Sequence, residues 1–236
     1  MSTSALPLID ISGLRSHDPV DQHLVAEQLR QACEQRGFFY ITGHGIDPAL
    51  ISSLFAASQR FFDLPMTEKL AVDKKLSRCN RGYEPLRAQT LESGAPPDLK
   101  ESFYAGAEVA ANDARVLAGR FNTGPNQWPE TLPDFRAVMQ NYYQAAYGLG
   151  ATIVRGLALS LGVPVSHFDG YLKEAAATLR HTGSGQEVPH NAHHDFRAAR
   201  RSGARRRGAM GTGPAGVWHR HHRLAADRHR RGQPRP

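Results

Sequence analysis

Hydrophobic residues recur with strand-like and helix-like spacing along the first part of the chain. Residues 6–12 and 38–42 are β-branched or aromatic runs, which predict two strands, the second of them buried. Between them, apolar residues recur at helical spacing from Asp18-Pro19 to Gly37. An aspartate followed by proline is typical of a helix start, so we predict an amphipathic helix here, with Cys33 on its buried face.

The same patterns predict a mixture of helices and strands farther along the chain. Asp47-Pro48 begins a second helix with one apolar stripe, and Asp134 begins the longest helix, which ends near Gly162. Shorter helices are predicted at 66–70 and 166–172, strands at 100–104 and 177–180, and loops at 81–83 and 93–97. Residues 181–191 are polar and glycine-rich, so the last strand pattern is not expected to continue into them.

Composition indicates a globular body without a membrane anchor. Hydrophobic residues make up 40% of the 236 positions, and no run of 18 apolar residues occurs. The first residues lack the basic and apolar regions of a secretory signal. Cys33 and Cys79 have no metal or redox spacing, so we expect free thiols in a cytoplasmic protein.

Charge is distributed unevenly along the chain. Residues 197–236 contain 12 arginines, no lysine and one acid, Asp227, which gives this tail a net charge of +11. The whole chain carries +7, so the remainder is mildly acidic at −4. With few large apolar residues, the tail is expected to be disordered. It also suggests an alternative function, the binding of a polyanion or nucleic acid through the tail.

The candidate metal ligands are His193 and Asp195. Residues two apart on a strand point to the same face, so this imidazole and carboxylate could form two thirds of a 2-His-1-carboxylate iron(II) site. A polar loop of surface histidines is the structural alternative. His190 and His194 also have the spacing of two zinc ligands on a helix, although Pro189 and nearby glycines disfavour a helix there.

An ordered set of motifs resembles the isopenicillin N synthase-like family of non-haem iron(II)/2-oxoglutarate-dependent dioxygenases. The motifs lie at residues 7–12, 36–46, 61–69, 81–83, 100–104, 124–129 and 192–196. The resemblance implies that His193 and Asp195 are the first two iron ligands and that His194 occupies the variable position between them. His44 is expected to be a turn or packing residue and Trp128 a loop anchor.

The resemblance also implies a fold, cofactors and partners. The expected fold class is α+β, an N-terminal helical and strand domain leading into a double-stranded β-helix, or jelly roll. Expected cofactors are Fe(II) and 2-oxoglutarate, and expected partners are dioxygen and a small-molecule substrate, without a membrane or a specific nucleic acid. We predict domains at residues 6–125 and 126–196, followed by the tail at 197–236.

The family pattern is not maintained after Asp195. The resemblance leads us to expect further apolar strands, a distal histidine ligand and an Arg-x-Ser/Thr that binds 2-oxoglutarate. Residues 197–236 contain histidines, but these lie in arginine-rich sequence without a strand pattern. We therefore expect an incomplete jelly roll with impaired activity. A reading-frame change shortly after Phe196 in a GC-rich gene would explain this composition.

Overall fold

The computed structural model describes residues 6–86, 88, 100–173 and 175–184, and it confirms a mixture of helices and strands. These residues all lie in one compact unit, which spans residues 1–188. The strands are β1 (Leu8–Asp10), β2 (Tyr40–Thr42), β3 (Gly82–Glu84), β4 (Lys100–Gly106) and β5 (Thr178–Ser184). The helices are α1 (Pro19–Gln35), α2 (Pro48–Phe62), α3 (Met66–Leu70), α4 (Ala114–Leu117), α5 (Pro133–Ser160) and α6 (Asp169–Leu172), with short 3-10 turns at Ser12–Arg15 and Lys74–Leu76.

Two of the predicted helix starts, at Asp18 and Asp47, are confirmed by their caps, whereas the longest helix begins at Pro133, one residue before the predicted Asp134, without a side-chain cap. The Asp18 side chain accepts a hydrogen bond from the backbone N–H of Val20, and Asp47 accepts one from that of Ala49. Each cap satisfies a backbone donor that the first turn of a helix leaves without a partner. The prolines that follow supply a backbone angle suited to the first helical position.

A small parallel pair of strands lies against two helices at the start of the unit. β1 pairs with β2, with Ile9 opposite Ile41. Ile9 and Ile11 are buried with Val25 and Leu29 of α1, and α5 packs against the same helix. This second, smaller core holds the N-terminal strand and α1 against the long helix.

The main sheet is antiparallel, with β4 in the centre between β3 and β5. Because successive side chains of a strand point to opposite faces, every second residue of each strand lies on the same face of this sheet. Phe103 pairs with Tyr83 on one side and His181 on the other, and this face packs against α2 and α5. The other face is polar, and its residues form the candidate site.

An aromatic cluster forms the main core on the apolar face of the sheet. Phe61 of α2 and Phe135 of α5 stack at 5.1 Å between ring centroids, and Phe103 of β4 meets both rings edge to face. All three side chains are fully buried. Aromatic pairs of this kind add to the free energy of burying their surface, so the cluster fixes the sheet against the two helices.

Two expectations about burial in the N-terminal part are wrong. Cys33 is exposed, because the buried stripe of α1 runs through Val25, Leu29 and Ala32, and position 33 lies beside that stripe. Phe38 and Tyr40 are each more than 60% exposed. The strand begins only at Tyr40 and pairs with β1 alone in the described part of the chain, so little is available to cover these rings.

Two expectations about the main sheet are also wrong. Residues 81–83 were predicted as a loop, but β3 begins at Gly82, where a φ of +105° brings the backbone close to the Val72 carbonyl. β5 was expected to stop at Arg180, yet it pairs with β4 through Ser184. The polar residues 181–184 form a strand here because their backbone pairs with the central strand β4. Gly183 packs on the Phe62 ring, and His181 has a buried hydrogen-bond partner in Ser58.

Several predictions lie outside the described residues. These are the loop at 93–97, the candidate ligand segment at 192–196 and the tail at 197–236. The boundary between residues 125 and 126 also stays a prediction. Within the described ranges, no helix combines the length and apolar character needed to cross a membrane.

Candidate active site

Arg180 and Ser102 form the centre of the polar face of the sheet. Arg180 of β5 lies directly opposite Tyr104 of β4, two positions along from the Ser102–Thr182 pair. Its Nε and Nη2 atoms donate hydrogen bonds to Ser102 Oγ at 3.1 and 3.0 Å. Ser102 is only 1% exposed, so a buried hydroxyl holds an otherwise exposed guanidinium in place.

Tyr104 connects this guanidinium to an acid and a second cation. The Arg180 guanidinium lies 5.2 Å from the centre of the Tyr104 ring, and Lys74 Nζ lies 4.6 Å from it. The Tyr104 hydroxyl donates to Glu84 Oε2 at 2.7 Å, and Lys74 also forms an ion pair with Glu84. Cations are attracted to the negative face of an aromatic ring, which makes the four side chains one electrostatic group.

The polar face can bind and orient a small polar molecule. Arg180 presents a planar set of N–H donors whose direction is fixed by Ser102, and an arginine so held is suited to planar acceptors. Glu84 is buried and accepts from Tyr104 and Lys74, so its charge is already compensated. These four side chains therefore provide hydrogen-bond donors and an aromatic surface that can bind a ligand. They do not form an acid–base pair suited to proton transfer.

His181 points to the opposite, apolar face of the sheet, where it packs against α2. Its Nδ1 lies 2.9 Å from Ser58 Oγ of α2, while Nε2 is buried without a hydrogen-bond partner among the described residues. Burial lowers the pKa of His181 to about 4. The imidazole is therefore neutral at neutral pH and belongs to the packing of α2 on the sheet.

The predicted iron ligands, His193 and Asp195, lie outside the described residues, as do His190 and His194. Within the described residues, no group of three histidine, cysteine or carboxylate side chains could hold a metal.

Two other expectations about single residues are confirmed. His44 Nδ1 accepts a hydrogen bond from the backbone N–H of Ile46 at 3.0 Å, so it is a turn residue. Trp128 donates from Nε1 to Glu108 at 3.0 Å and packs on Phe103 and Phe135, which makes it a loop anchor.

Sequence reasoning missed the polar face itself. Ser102, Tyr104 and Arg180 were assigned to strands, but their roles depend on the register between β4 and β5, which no local pattern specifies. The alternation of Ser102 and Tyr104 with Phe103 was a usable signal, because a strand with one apolar and one polar face shows this spacing.

The comparisons with known proteins agree with the motifs. Residues 6–131 match the family model described as "non-haem dioxygenase in morphine synthesis N-terminal". The chain is 44% identical over 183 residues to the 2-oxoglutarate-Fe(II) type oxidoreductase hxnY of Emericella nidulans, covering 76% of this chain and 52% of that one. It is 41% identical over 168 residues to the 2-oxoglutarate-dependent dioxygenase tropC of Talaromyces stipitatus, covering 69% and 51%. The chain thus spans about half the length of these curated relatives.

Solved structures show the same arrangement of elements. A Neurospora crassa protein in complex with alpha-KG and thymine superposes with a TM-score of 0.62 at 26% identity, covering 77% of this chain and 56% of that one. A putative 2OG-Fe(II) oxygenase family protein from Caulobacter crescentus superposes with a TM-score of 0.65 at 23% identity, covering 76% and 56%, which supports the fold alone.

The family assignment rests on the extent of the match. The family model covers residues 6–131, more than half of the 236 positions, and the names of the relatives specify iron and 2-oxoglutarate. The chain therefore belongs to the non-haem iron(II)/2-oxoglutarate-dependent dioxygenase family.

Proposed function

We propose that this protein is an iron(II)/2-oxoglutarate-dependent oxygenase that couples oxidative decarboxylation of the keto acid to oxidation of a small organic substrate with dioxygen. The observation that supports this most directly is the polar face of the main sheet. Arg180, Ser102 and Tyr104 form an ordered recognition surface on β4 and β5, and β5 is the described strand that precedes His193 along the chain.

His193 and Asp195 are the residues that would hold the iron. Imidazole and carboxylate ligands suit a non-haem Fe(II) site with open positions, which a keto acid and dioxygen can occupy. The proposed iron site depends on these two side chains. The metal, when bound, supplies the redox chemistry, and the chain supplies binding, orientation and exclusion of water.

Arg180 would orient the substrate. Its guanidinium lies on Tyr104 and is held by Ser102, so it is pre-organised to donate hydrogen bonds to a small planar molecule with carbonyl oxygens.

Thymine is a defined probe of this class because the Neurospora crassa protein has been solved with it. Arg180→Gln should weaken thymine binding at least about tenfold, since it removes a charged donor pair. Arg155→Gln, a control at an exposed arginine on α5, should leave binding unchanged, and equal loss in both variants would contradict this role.

We also propose a domain arrangement for the chain and an effect of the tail on turnover. Residues 6–125 and 126–196 would form the N-terminal domain and the beginning of the jelly roll, and residues 197–236 an additional tail. Residues 197–236 have an arginine-rich composition in place of the apolar strand pattern that the resemblance predicts after Asp195, and the one Arg-x-Ser there, at 200–202, lies in this sequence, so we propose that turnover is impaired. Binding of a polyanion through the tail stays an alternative prediction from the sequence.

Oxygen uptake tests the proposed activity. The full chain is supplied with iron(II), ascorbate and 2-oxoglutarate and compared with its Asp195→Ala variant. Slow uptake that depends on 2-oxoglutarate and is lost in the variant supports the proposal. Identical traces for the two proteins would remove the assignment of Asp195 and the activity based on it.

A further inference from the structure

A cavity of about 210 Å³ lies where β4 ends and β5 begins. Arg81 lines it next to β3, Tyr143 and Tyr147 line it from α5, and Ala175–Ala177 line it from the segment before β5. The Tyr143 and Tyr147 rings stack at 6.0 Å between centroids. The cavity therefore has an aromatic and apolar wall beside a buried cation.

Arg81 is the unusual feature of this cavity. The side chain is 1% exposed, and its contacts are sparse for a buried charge: Nη2 donates to the Asn122 carbonyl at 2.8 Å and Nη1 to Thr178 Oγ1 at 3.5 Å. Nε has no acceptor among the described residues. No carboxylate among the described residues contacts this cation, and a buried charge without such a contact is energetically costly. The same burial lowers the pKa of Arg81.

The backbone at the end of β4 lies close to this guanidinium. A Cβ at Gly106, the last residue of β4, would lie 2.2 Å from Arg81 Nη2. Only glycine leaves space for the arginine there, so the sheet end accommodates the cation rather than excluding it.

Lys173 is a second cation at the cavity, and Arg115 and Arg120 also line it but have partners of their own. No aspartate or glutamate among the described residues lines the cavity. Because Arg81 Nε lacks an acceptor among the described residues, a carboxylate could supply the missing one.

We propose that this cavity binds a small organic carboxylate, with the carboxylate on Arg81 and the apolar part against Tyr143 and Tyr147. An inorganic anion would satisfy the guanidinium but would leave the aromatic and alanine walls without a partner. A carboxylate of the size of benzoate would contact both Arg81 and the aromatic wall formed by Tyr143 and Tyr147. The site goes beyond the proposed oxygenase function, because it involves none of the residues assigned to iron or substrate.

Ligand-observed nuclear magnetic resonance titration of the full chain with benzoate tests this site. We expect a dissociation constant of about 1 mM or tighter, which a ligand of this size reaches at an ordinary efficiency per atom. Benzamide, which has the same shape without the charge, should bind at least about tenfold more weakly, because a charged acceptor makes the stronger hydrogen bonds to arginine. Inorganic phosphate should not displace benzoate at equal concentration.

Three variants locate the binding. Ala176→Phe fills the cavity without changing charge and should abolish binding, Lys173→Gln should weaken it about threefold, and Arg81→Lys should weaken it at least about tenfold. Ala176 and Lys173 are exposed, so these two variants keep the fold even if Arg81→Lys does not. Lys75→Gln removes an exposed lysine elsewhere and should have no effect.

The arginine-rich tail is the main competing explanation for benzoate binding. Binding by the tail would be insensitive to Ala176→Phe and would be displaced by phosphate, and either result would overturn the proposal. Absence of benzoate binding to the unaltered chain would overturn it as well. Loss of oxygen uptake or of iron binding in other variants would leave this test unaffected.

Discussion

Lys69 Nζ lies 2.9 Å from Glu101 Oε2, and the two side chains are only 7% and 4% exposed. Lys69 belongs to α3 and Glu101 to β4, so the pair connects a helix to the central strand. The Tyr83 hydroxyl donates to the same carboxylate oxygen at 2.6 Å, and Lys69 also donates to the Phe62 carbonyl. Burial and the hydrogen bond with Glu101 raise the pKa of Tyr83. A buried ion pair with additional partners therefore connects four elements around the main core, α2, α3, β3 and β4.

Removal of Lys69 should destabilise the fold strongly. Lys69→Met leaves the Glu101 carboxylate buried without its cation, so we expect the free energy of unfolding to fall by about 3–5 kcal/mol. Denaturant unfolding followed by circular dichroism measures this loss. Arg155→Met, which breaks the exposed pair with Asp169, should cost much less, and equal losses would show that burial of the Lys69–Glu101 pair is unimportant.

His181 should make stability dependent on pH in a defined window. Its pKa is about 4 in the folded chain, below the ordinary value of about 6.5, so the unfolded chain binds more protons between these values. The free energy of unfolding is therefore highest above pH 6.5 and falls as the pH decreases from 6.5 towards 4, by at most about 3 kcal/mol from this residue.

Urea unfolding at about pH 7.5 and about pH 5, on either side of the ordinary histidine pKa, isolates this contribution. His181→Asn should reduce the difference between the two pH values, because the variant has no imidazole to protonate. His17→Asn, at an exposed histidine, should keep the full difference. The same pH difference in all three proteins would mean that His181 is protonated equally easily in the folded and unfolded chain.

Gly82 should not tolerate a side chain. Its φ is +105°, and a Cβ would lie 2.2 Å from the Val72 carbonyl oxygen, so Gly82→Ala should lower the free energy of unfolding by at least about 1–3 kcal/mol. Gly148→Ala is the matched control, because Gly148 lies within α5 with open space around it, and should raise stability by about 0.5–1 kcal/mol. Thermal unfolding distinguishes the two, and a stable Gly82→Ala protein would contradict the described start of β3.

The helices were predictable from sequence because their determinants are local. Asp18 and Asp47 precede prolines and cap the helices that follow, and the apolar spacing after Asp134 predicted the longest helix. Cys33 was predicted to be buried but is exposed. The apolar residues of α1 cover a wider part of its surface than the part that packs against α5.

The sheet and the polar face were less predictable because they depend on contacts between distant residues. Tyr83 is buried by Phe61 and Phe103, and nothing near Arg81-Gly82 in sequence indicates that β4 lies alongside. The extension of β5 through Ser184 likewise follows from pairing with β4, a strand far earlier in the chain. Polar residues such as Thr182 therefore look like a loop in sequence and form a strand in the fold.

Iron(II) binding by the full chain under anaerobic conditions tests the assignment of His193 and Asp195 most directly. Equilibrium dialysis should show that His193→Ala and Asp195→Ala each lower iron affinity by about tenfold or more, since each removes one of two proposed ligands. The neighbouring variants His194→Ala and His190→Ala should bind iron as the unaltered chain does. Equal iron binding by all five proteins, or a loss confined to the His190 and His194 variants, would contradict the iron site on which the proposed function depends.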